Sequence, residues 1–383
     1  MTDVLHDLGR GLPGSVLYQG LLAQGSGRWQ AAHRAARAMA AKAPTGHHES
    51  AGLYYGAPAV AFALHSAGHP AYRSALEALD EALTMLVAQR LSTAEQRMDD
   101  GRPPCMREYD LISGLTGFGA YFLHRDSSTE SLHGVLRYLV RLLQERVKVD
   151  GRELPGWWTS DSPTSHPDDA WPTGHGNFGM AHGVAGPIAL LALASRAGHT
   201  VPGQLEALTA SCGLLEQWAH PTPAGSAAWP ETVSVDRWLA GPVPQFRAGR
   251  PSWCYGTPGI ARALQLAAIA CGREDSRLRA ESLLTACLRD PDQLARITDP
   301  TVCHGWAGLC LAADRAAADT DSDSPLRRTL PRLRARFTAH LAHNPLPEGA
   351  GLLTGADGVL LTIHTLNPSH PVASGWETCL LLH

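Results

Sequence analysis

The sequence has no block of Lys or Arg, and its formal net charge is only −4 over 383 residues. Without a basic run, nucleic acid or an anionic membrane is not expected as the main partner. The most apolar run, residues 188–194, is far shorter than the roughly 20 residues that a membrane helix needs. The first ten residues contain acids and no apolar stretch of signal-peptide length. We therefore expect a protein of the cytosol.

Cysteine is also scarce: eight residues are scattered along the chain and do not form the dense pattern of a disulfide framework. Two of them stand in a distinctive context, Cys254 before a Gly-x-x-Gly motif and Cys303 before another. The other six we interpret as core residues, because free cysteine behaves as a small apolar side chain. They are Cys105, Cys212, Cys271, Cys287, Cys310 and Cys379.

The Gly-x-x-Gly motif recurs five times, and a sixth, degenerate copy has alanine in place of the second glycine. Each copy precedes an Ala/Leu/Ile-rich segment typical of a buried helix, and amphipathic segments lie between the copies. Such alternation predicts stacked helix pairs, either an open solenoid or a closed ring. Inner helices that are apolar nearly all round favour the ring. The first glycines of the copies are Gly56, Gly114, Gly183, Gly256, Gly305 and Gly355.

The two residues before each first glycine are expected at one end of the ring, which we call the mouth. Cys254 and Cys303 occupy the same position of adjacent copies, and His182, Tyr255 and His304 share the next position. Two thiolates and one imidazole are a ligand set of catalytic zinc sites that keep a fourth position open. We predict one zinc ion per chain, bound by Cys254, Cys303 and His304.

Three further residues near the predicted mouth have the chemistry for proton transfer or charge stabilisation. His182 can act as a general acid or as a neighbour of the metal. Its position directly before the first glycine of a repeat copy argues against a merely structural role. Asp110 can orient a histidine or accept a proton, and Arg250 can stabilise a developing enolate oxygen. For Asp110 and Arg250 the alternative is a helix cap or a surface ion pair.

Two long connections, residues 147–178 and 220–251, are rich in Trp, Pro and Gly. Their length exceeds that of ordinary connections and indicates functional loops or small β insertions. Each leads into a copy that carries candidate site residues, so we expect both to border the mouth as walls for a substrate. The alternative is a hydrophobic flap that covers helix ends.

Together these motifs resemble those of the LanC-type lanthipeptide cyclases, from about residue 52 onward. The resemblance implies an all-α fold, an α,α-toroid of seven inner and seven outer helices in which residues 1–383 form a single domain. Since only six copies are counted, we expect the seventh around residues 28–41 or after residue 356. The motifs are Tyr-Asp-Leu-Ile-Ser-Gly-Leu-Thr-Gly at 109–117, Ala-His-Gly-Val-Ala-Gly at 181–186, Ser-Trp-Cys-Tyr-Gly-Thr-Pro-Gly at 252–259 and Cys-His-Gly-Trp-Ala-Gly-Leu at 303–309.

The resemblance further implies a stand-alone, zinc-dependent lanthionine cyclase. Cysteine thiols of a dehydrated precursor peptide would add to dehydroalanine or dehydrobutyrine and close thioether rings. A separate dehydratase and a membrane exporter complex are the other implied partners. Zinc would be held by the three residues given above, and the residues that match the family's active-site histidine, aspartate, arginine and tyrosine are His182, Asp110, Arg250 and Tyr255.

Other functions remain open on the sequence alone. The same fold and metal would suit an enzyme that adds glutathione to dehydrated residues, or a non-catalytic, zinc-containing scaffold that binds peptides. A glycosidase built on an α,α ring would need a pair of carboxylates at the mouth. Only Asp110 occupies such a place.

Overall fold

A computed structural model describes residues 4–164, 168–242, 249–367, 369 and 375–383. Seven helices form the inner ring, and each packs on the next in chain order until the last contacts the first. Six of the seven begin directly after the first glycine of a repeat copy. The predicted all-α toroid is confirmed. The inner helices are α1 Leu12–Ser26, α3 Ala57–Ala67, α6 Leu115–Arg125, α8 Ala185–Arg196, α11 Thr257–Ala270, α14 Trp306–Ala318 and α16 Ala356–Thr365.

The outer helices are amphipathic and pack their apolar sides on the inner ring. The described residues contain six long outer helices, whereas seven were expected. After α16 only the nine residues 366–374 precede Gly375, which is too short for another helix of that kind with its turns. The outer helices are α2 Gln30–Met39, α4 Arg73–Asp99, α7 Thr129–Gln144, α9 Gln204–Gln217, α12 Glu274–Arg289 and α15 Pro325–His343; short helices are α5 Met106–Tyr109, α10 Val235–Ala240 and α13 Pro291–Leu294.

The seventh copy of the repeat lies at the start of the chain, at Gly11 and Gly14, and leads into α1. The expectation that it lies around residues 28–41 or after residue 356 is wrong. Residues 30–39 form the outer helix α2, and α16 belongs to a copy already counted. A Cβ on Gly14 would lie 2.7 Å from the backbone of Gly351. The first and last copies therefore pack too closely for any other residue at this position.

In five of the copies, the second glycine lies against the backbone of the turn that precedes its helix. In five copies a Cβ at this glycine would lie 1.8–2.7 Å from a carbonyl oxygen six residues earlier. For Gly308 that oxygen belongs to Val302, at 1.9 Å. A side chain would push the turn away from its own helix, so the motif fixes how the residues before the helix are presented.

Backbone hydrogen bonds join these turns into a closed circle at the mouth. Each copy donates an N–H group to the copy that follows it, and the last copy donates to the first. The bonds are Leu8 N to Tyr54 O at 3.0 Å, Tyr54 N to Ile112 O at 3.1 Å, Leu111 N to Ala181 O at 3.1 Å, Met180 N to Cys254 O at 2.8 Å, Cys254 N to Cys303 O at 3.3 Å, Cys303 N to Leu353 O at 3.0 Å and Leu352 N to Leu8 O at 2.9 Å.

The C-terminal segment, residues 375–383, enters the ring from the end opposite the mouth. Its first contacts are near the C-terminal ends of inner helices: the Trp376 indole donates to the Thr365 hydroxyl at 3.1 Å. Its tip reaches the mouth end, where Tyr54 donates to the Cys379 carbonyl at 2.8 Å and Trp253 to the Leu380 carbonyl at 2.9 Å. This segment therefore forms a floor beneath the residue that precedes Cys254.

Trp376 is fully buried in that floor. We expect Trp376→Ala to lower the free energy of unfolding by about 3–5 kcal/mol, because a large cavity would open inside the ring. Urea denaturation followed by circular dichroism measures this loss. Leu278→Ala is the control, since Leu278 is 47% exposed on α12 and should change stability by no more than about 0.5 kcal/mol. Equal effects of both substitutions would contradict the buried position.

The two long connections pack against each other through short antiparallel strands and a cluster of aromatic rings. Trp157 and Trp158 are fully buried, and Trp238 packs edge to face on both, with ring centroids 5.7 and 6.1 Å apart. These tryptophans form a local core. Parts of both connections, residues 165–167 and 243–248, lie outside the described residues. The strands are β1 Arg146–Val149 paired with β2 Arg152–Pro155, β3 Gly176–Asn177 with β6 Thr232–Val233, and β4 His220–Pro221 with β5 Ala227–Ala228.

All eight cysteines are free thiols. The expectation that six of them belong to the core is wrong for Cys105, which is exposed in the turn before α5. Cys271, at the end of α11, is half-buried and packs against the core. Among the helices of the described ranges, none has the length and apolarity to cross a bilayer.

Candidate active site and metal centre

The mouth presents one residue from each repeat copy, the residue directly before the first glycine. The predicted site residues fall in copies three to six, counted from Gly11, and the circle of backbone bonds fixes their order. Around the mouth the positions are held by Arg10, Tyr55, Ser113, His182, Tyr255, His304 and Thr354.

Cys254, Cys303 and His304 converge on one point of this end. Their ligand atoms all lie within 4.8 Å of one another, and within the described ranges they are the one such group of three His, Cys or acidic residues. The direct backbone bond from Cys254 N to Cys303 O explains the proximity of residues 49 positions apart. A tetrahedral zinc ion with ligands at about 2.0–2.3 Å would place neighbouring ligand atoms roughly 3.5 Å apart. The group can therefore hold a metal ion with little movement.

The two thiols are electrostatically unequal. The hydrogen bond from Cys303 lowers the pKa of Cys254 despite its burial, and the Ser252 hydroxyl, 3.4 Å from the Cys254 sulfur, contributes in the same direction. The bond to Cys254, together with burial, raises the pKa of Cys303. A bound cation would favour the deprotonated form of both.

Asp299 and Arg250 lie beside this group. The Asp299 carboxylate is 3.6 Å from His304 Nε2 and 3.9 Å from an Arg250 guanidinium nitrogen. Its position is fixed by the backbone N–H of Thr301, which donates to Oδ1 at 2.9 Å. Burial lowers the pKa of His304, which favours the neutral imidazole that binds metals. The structure thus places Arg250, with 44% of its side chain exposed, next to the thiol group.

His182 and Asp110 form a second unit of the mouth. His182 Nδ1 is 2.6 Å from Asp110 Oδ2, while Asp110 Oδ1 accepts from the N–H groups of Ser113 and Gly114 at 2.7 and 2.8 Å. Asp110 is buried, whereas 33% of the His182 side chain is exposed. Burial opposes the charge of His182, but the hydrogen bond and charge of Asp110 raise its pKa above the ordinary value. The pair therefore favours a protonated histidine that is partly exposed at the mouth.

Tyr255 lies between these two units. Its ring centroid is 6.4 Å from that of His182, and its hydroxyl accepts from Asn177 Nδ2 at 3.3 Å. Burial raises the pKa of Tyr255 well above its usual range, so the phenol keeps its proton. Since Asn177 donates to the phenol oxygen, the phenol hydrogen is left to donate to another group. Asn177 itself is buried, and its side-chain oxygen accepts from Gly179 N at 3.0 Å.

Two of these residues, Asn177 and Asp299, were missed by the sequence analysis. Both stand six residues before the first glycine of their copies, as does Arg250 in the copy between them. The polar character of this position in three consecutive copies is a signal that the sequence contained. It would have placed both residues beside the mouth.

Gly179 supports the site by its lack of a side chain. A Cβ there would lie 2.6 Å from Cδ1 of Tyr255 and 2.7 Å from the Cys254 carbonyl oxygen. We expect Gly179→Ala to displace both residues and lower the catalytic rate by about 10–100-fold, since small misplacements of reacting groups are costly. Gly213→Ala is the matched control, because a Cβ at Gly213 meets nothing within 4 Å. Equal activity of the two variants would contradict this role.

A cavity of about 550 Å³ opens beside the second unit. Asp110 and His182 form part of its wall, and Tyr55, Ser113 and Arg107 form others. It lies on the side of His182 that faces copies two and three, away from the thiol group of copies five and six. The mouth thus offers room for a substrate on this side of His182.

Comparison with known proteins places this arrangement in a family. Residues 3–381 match the family described as "Lanthionine synthetase C-like protein". The chain is 24% identical over 337 residues to "Nisin biosynthesis protein NisC" from Lactococcus lactis subsp. lactis, an alignment that covers 86% of this chain and 77% of that protein. The solved structure of "Nisin cyclase" superimposes with a TM-score of 0.79 at 21% identity, covering 100% of this chain and 93% of the other. The chain belongs to the lanthionine synthetase C-like family.

Proposed function

We propose that this protein is a zinc-dependent lanthionine cyclase. It adds cysteine thiols of a dehydrated precursor peptide to dehydroalanine or dehydrobutyrine and so closes thioether rings. The observation that carries the proposal is the presence, in one mouth, of the Cys254, Cys303 and His304 group and of the His182–Asp110 pair. Membership of the lanthionine synthetase C-like family supports the same reaction.

Cys254, Cys303 and His304 are the residues that would hold the zinc ion. Two sulfurs and one nitrogen suit this metal and leave a fourth position open. When bound, zinc would lower the pKa of a substrate thiol so that it reacts as a thiolate. Asp299, 3.6 Å from His304 Nε2, would help to fix the orientation of that imidazole.

The reaction forms one bond between sulfur and the β-carbon of the dehydro residue. The electron pair of the carbon–carbon double bond moves to the α-carbon and the carbonyl oxygen, and the resulting enolate must then gain a proton at the α-carbon. His182 is suited to supply it, because Asp110 holds Nδ1 and raises the pKa of the ring while the side chain is partly exposed at the mouth. The thiol proton lost by the substrate balances the one gained.

Charge on the enolate oxygen needs a donor that is already in place. Tyr255 fits this role, because its phenol remains protonated and Asn177 occupies its oxygen as a hydrogen-bond donor. Arg250 lies beside Asp299 and His304, so its positive charge would act on the thiolate side of the reacting pair. The sequence analysis expected Arg250 to stabilise the enolate oxygen; its place beside Asp299 and His304 supports a role on the thiolate side instead and leaves Tyr255 as the donor to the oxygen.

The substrate needs a separate dehydratase, because sulfur adds only to an electrophilic alkene that dehydration of Ser or Thr creates. A membrane exporter complex is a further proposed partner. The reactive thiols of substrate and site call for a reducing compartment, so we propose the cytosol as the location.

We also propose that residues 1–383 act as one domain, with residues 147–178 and 220–251 bordering the mouth. Asn177 and Arg250, which lie near the ends of these two connections, support this.

The experiment that tests the proposed function is an alkylation assay. A dehydrated precursor peptide is incubated with the zinc-loaded protein, the remaining thiols are alkylated, and the product is weighed, since ring closure alone leaves the mass unchanged. We expect each closed ring to protect one cysteine from alkylation. A zinc-loaded protein that protects no cysteine would be a scaffold rather than a cyclase. A mass gain equal to glutathione, when that thiol is supplied, would instead favour glutathione addition.

A further inference from the structure

The cavity beside His182 has a positively charged rim. Arg107, on α5, lines it and is exposed. Arg10 is also exposed and stands at the mouth position of copy one, next to Tyr55 of copy two. Charge from each of these two arginines lowers the pKa of Tyr55, although burial raises it overall. The Arg10 backbone N–H donates to Asp7 Oδ1 at 3.0 Å, and Asp7 forms a backbone bridge with Tyr55, so Arg10 stands beside the cavity that Arg107 and Tyr55 line.

Neither arginine side chain has a hydrogen-bonding or ion-pair partner among the described residues. Of the acids beside this cavity, Asp110 is engaged with His182 and two backbone N–H groups, and Asp7 with the N–H groups of Gly9 and Arg10. Glu49 and Glu108 line a neighbouring cavity together with Arg107, and Glu108 is paired with Arg97. Asp7 contributes some attraction to Arg10, and Lys42 adds a third cation to the cavity wall. The cavity thus has more positive than negative charge, with two cations directed to solvent.

We propose that Arg10 and Arg107 form a carboxylate-binding subsite for the peptide substrate, which takes an acidic residue close to the reacting cysteine and dehydro residue. The inference rests on the proposed function, since a segment in this cavity would continue from a chain held at His182. Guanidinium groups bind carboxylates through paired N–H donors, which gives orientation as well as affinity. A cavity of about 550 Å³ accommodates a few residues of such a segment.

Binding is measured separately from chemistry. The probe is a fluorescein-labelled synthetic peptide with dehydroalanine, a serine in place of the reactive cysteine, and two Glu residues on one flank; the comparison peptides carry Gln or Lys there. Anisotropy with the zinc-loaded full chain should give a Kd about fivefold lower for the Glu peptide than for the Gln peptide at low salt. High salt should reduce this difference, because exposed charges are screened.

Arg107→Glu should abolish the preference for Glu over Gln and make the Lys peptide the tightest ligand. Arg279→Glu, on the exposed side of α12, is the matched control and should leave the preference unchanged. Equal affinity of the wild-type chain for Glu and Gln peptides, or an unchanged preference in Arg107→Glu, would overturn the subsite. If the preference for the Glu peptide is present but no ring closes in the alkylation assay, the subsite stands and the cyclase proposal fails. If rings close but the chain binds Glu and Gln peptides equally, the cyclase proposal stands and the subsite fails.

Discussion

Cys303→Ala should leave the protein with less than about a tenth of an equivalent of zinc and with no measurable ring closure. The substitution removes one of the three proposed ligands, and the Cys254 thiol loses its interaction with the Cys303 thiol. Even loss of a residue that only orients a metal ligand typically costs 10–100-fold in affinity, so loss of a ligand should exceed that. Metal content after dialysis and the alkylation assay measure the two effects.

Cys310→Ala provides the control for this experiment. Cys310 is another buried cysteine, on α14 just beyond the turn that carries Cys303. Its replacement should reduce stability modestly while a full equivalent of zinc is retained. Retention of a full equivalent by both Cys303→Ala and Cys254→Ala would contradict the assigned ligands.

His182→Ala is expected to lower the rate of ring closure by about 10²–10⁴-fold, the range typical of lost general acid catalysis. Zinc content should remain near one equivalent, because His182 is not a member of the thiol group. This separation of rate from metal content distinguishes a proton donor from a metal ligand. A fall in zinc content equal to that of Cys303→Ala would contradict the role of His182.

Asp110→Asn refines the same prediction. Asparagine keeps an oxygen that accepts from Ser113 and Gly114, so the turn should survive. The charge that raises the pKa of His182 is lost. A histidine is an acid only below its pKa, so the alkaline fall of the pH–rate profile should move to lower pH. An unchanged profile with reduced stability would show that Asp110 is only structural.

The position of the candidate site was predictable because it depends on a repeat. Cys254 and Cys303 occupy one register position, and a closed ring places adjacent copies side by side. Copy one was missed although Gly11 and Gly14 have the right spacing. Its helix contains three glycines, Gly14, Gly20 and Gly25, residues that weaken a helical pattern. Because this copy was missed, Arg10 was not predicted at the mouth.

Other features were not predictable, because they depend on contacts between distant segments. Of the C-terminal segment only Cys379 was expected in the core, and nothing local indicates that the segment turns back inside the ring under Trp253. The packing of Trp238 on Trp157 and Trp158 joins the two long connections, and no local pattern in either segment indicates this contact. The bond from Asn177 to Tyr255 joins residues 78 positions apart. The sequence shows only that Asn177 occupies the same position of its repeat copy as Arg250, six residues before the first glycine.

Ring closure should depend on a single zinc ion held by Cys254, Cys303 and His304. The most direct measurement titrates metal-free protein with zinc while the protection of precursor cysteines from alkylation is followed. We predict that metal-free protein protects none, that the rate rises in proportion to added zinc, and that it levels off at one equivalent. Ring closure at full rate without zinc, or a rate that does not respond to zinc in protein shown to bind one equivalent, would contradict the account.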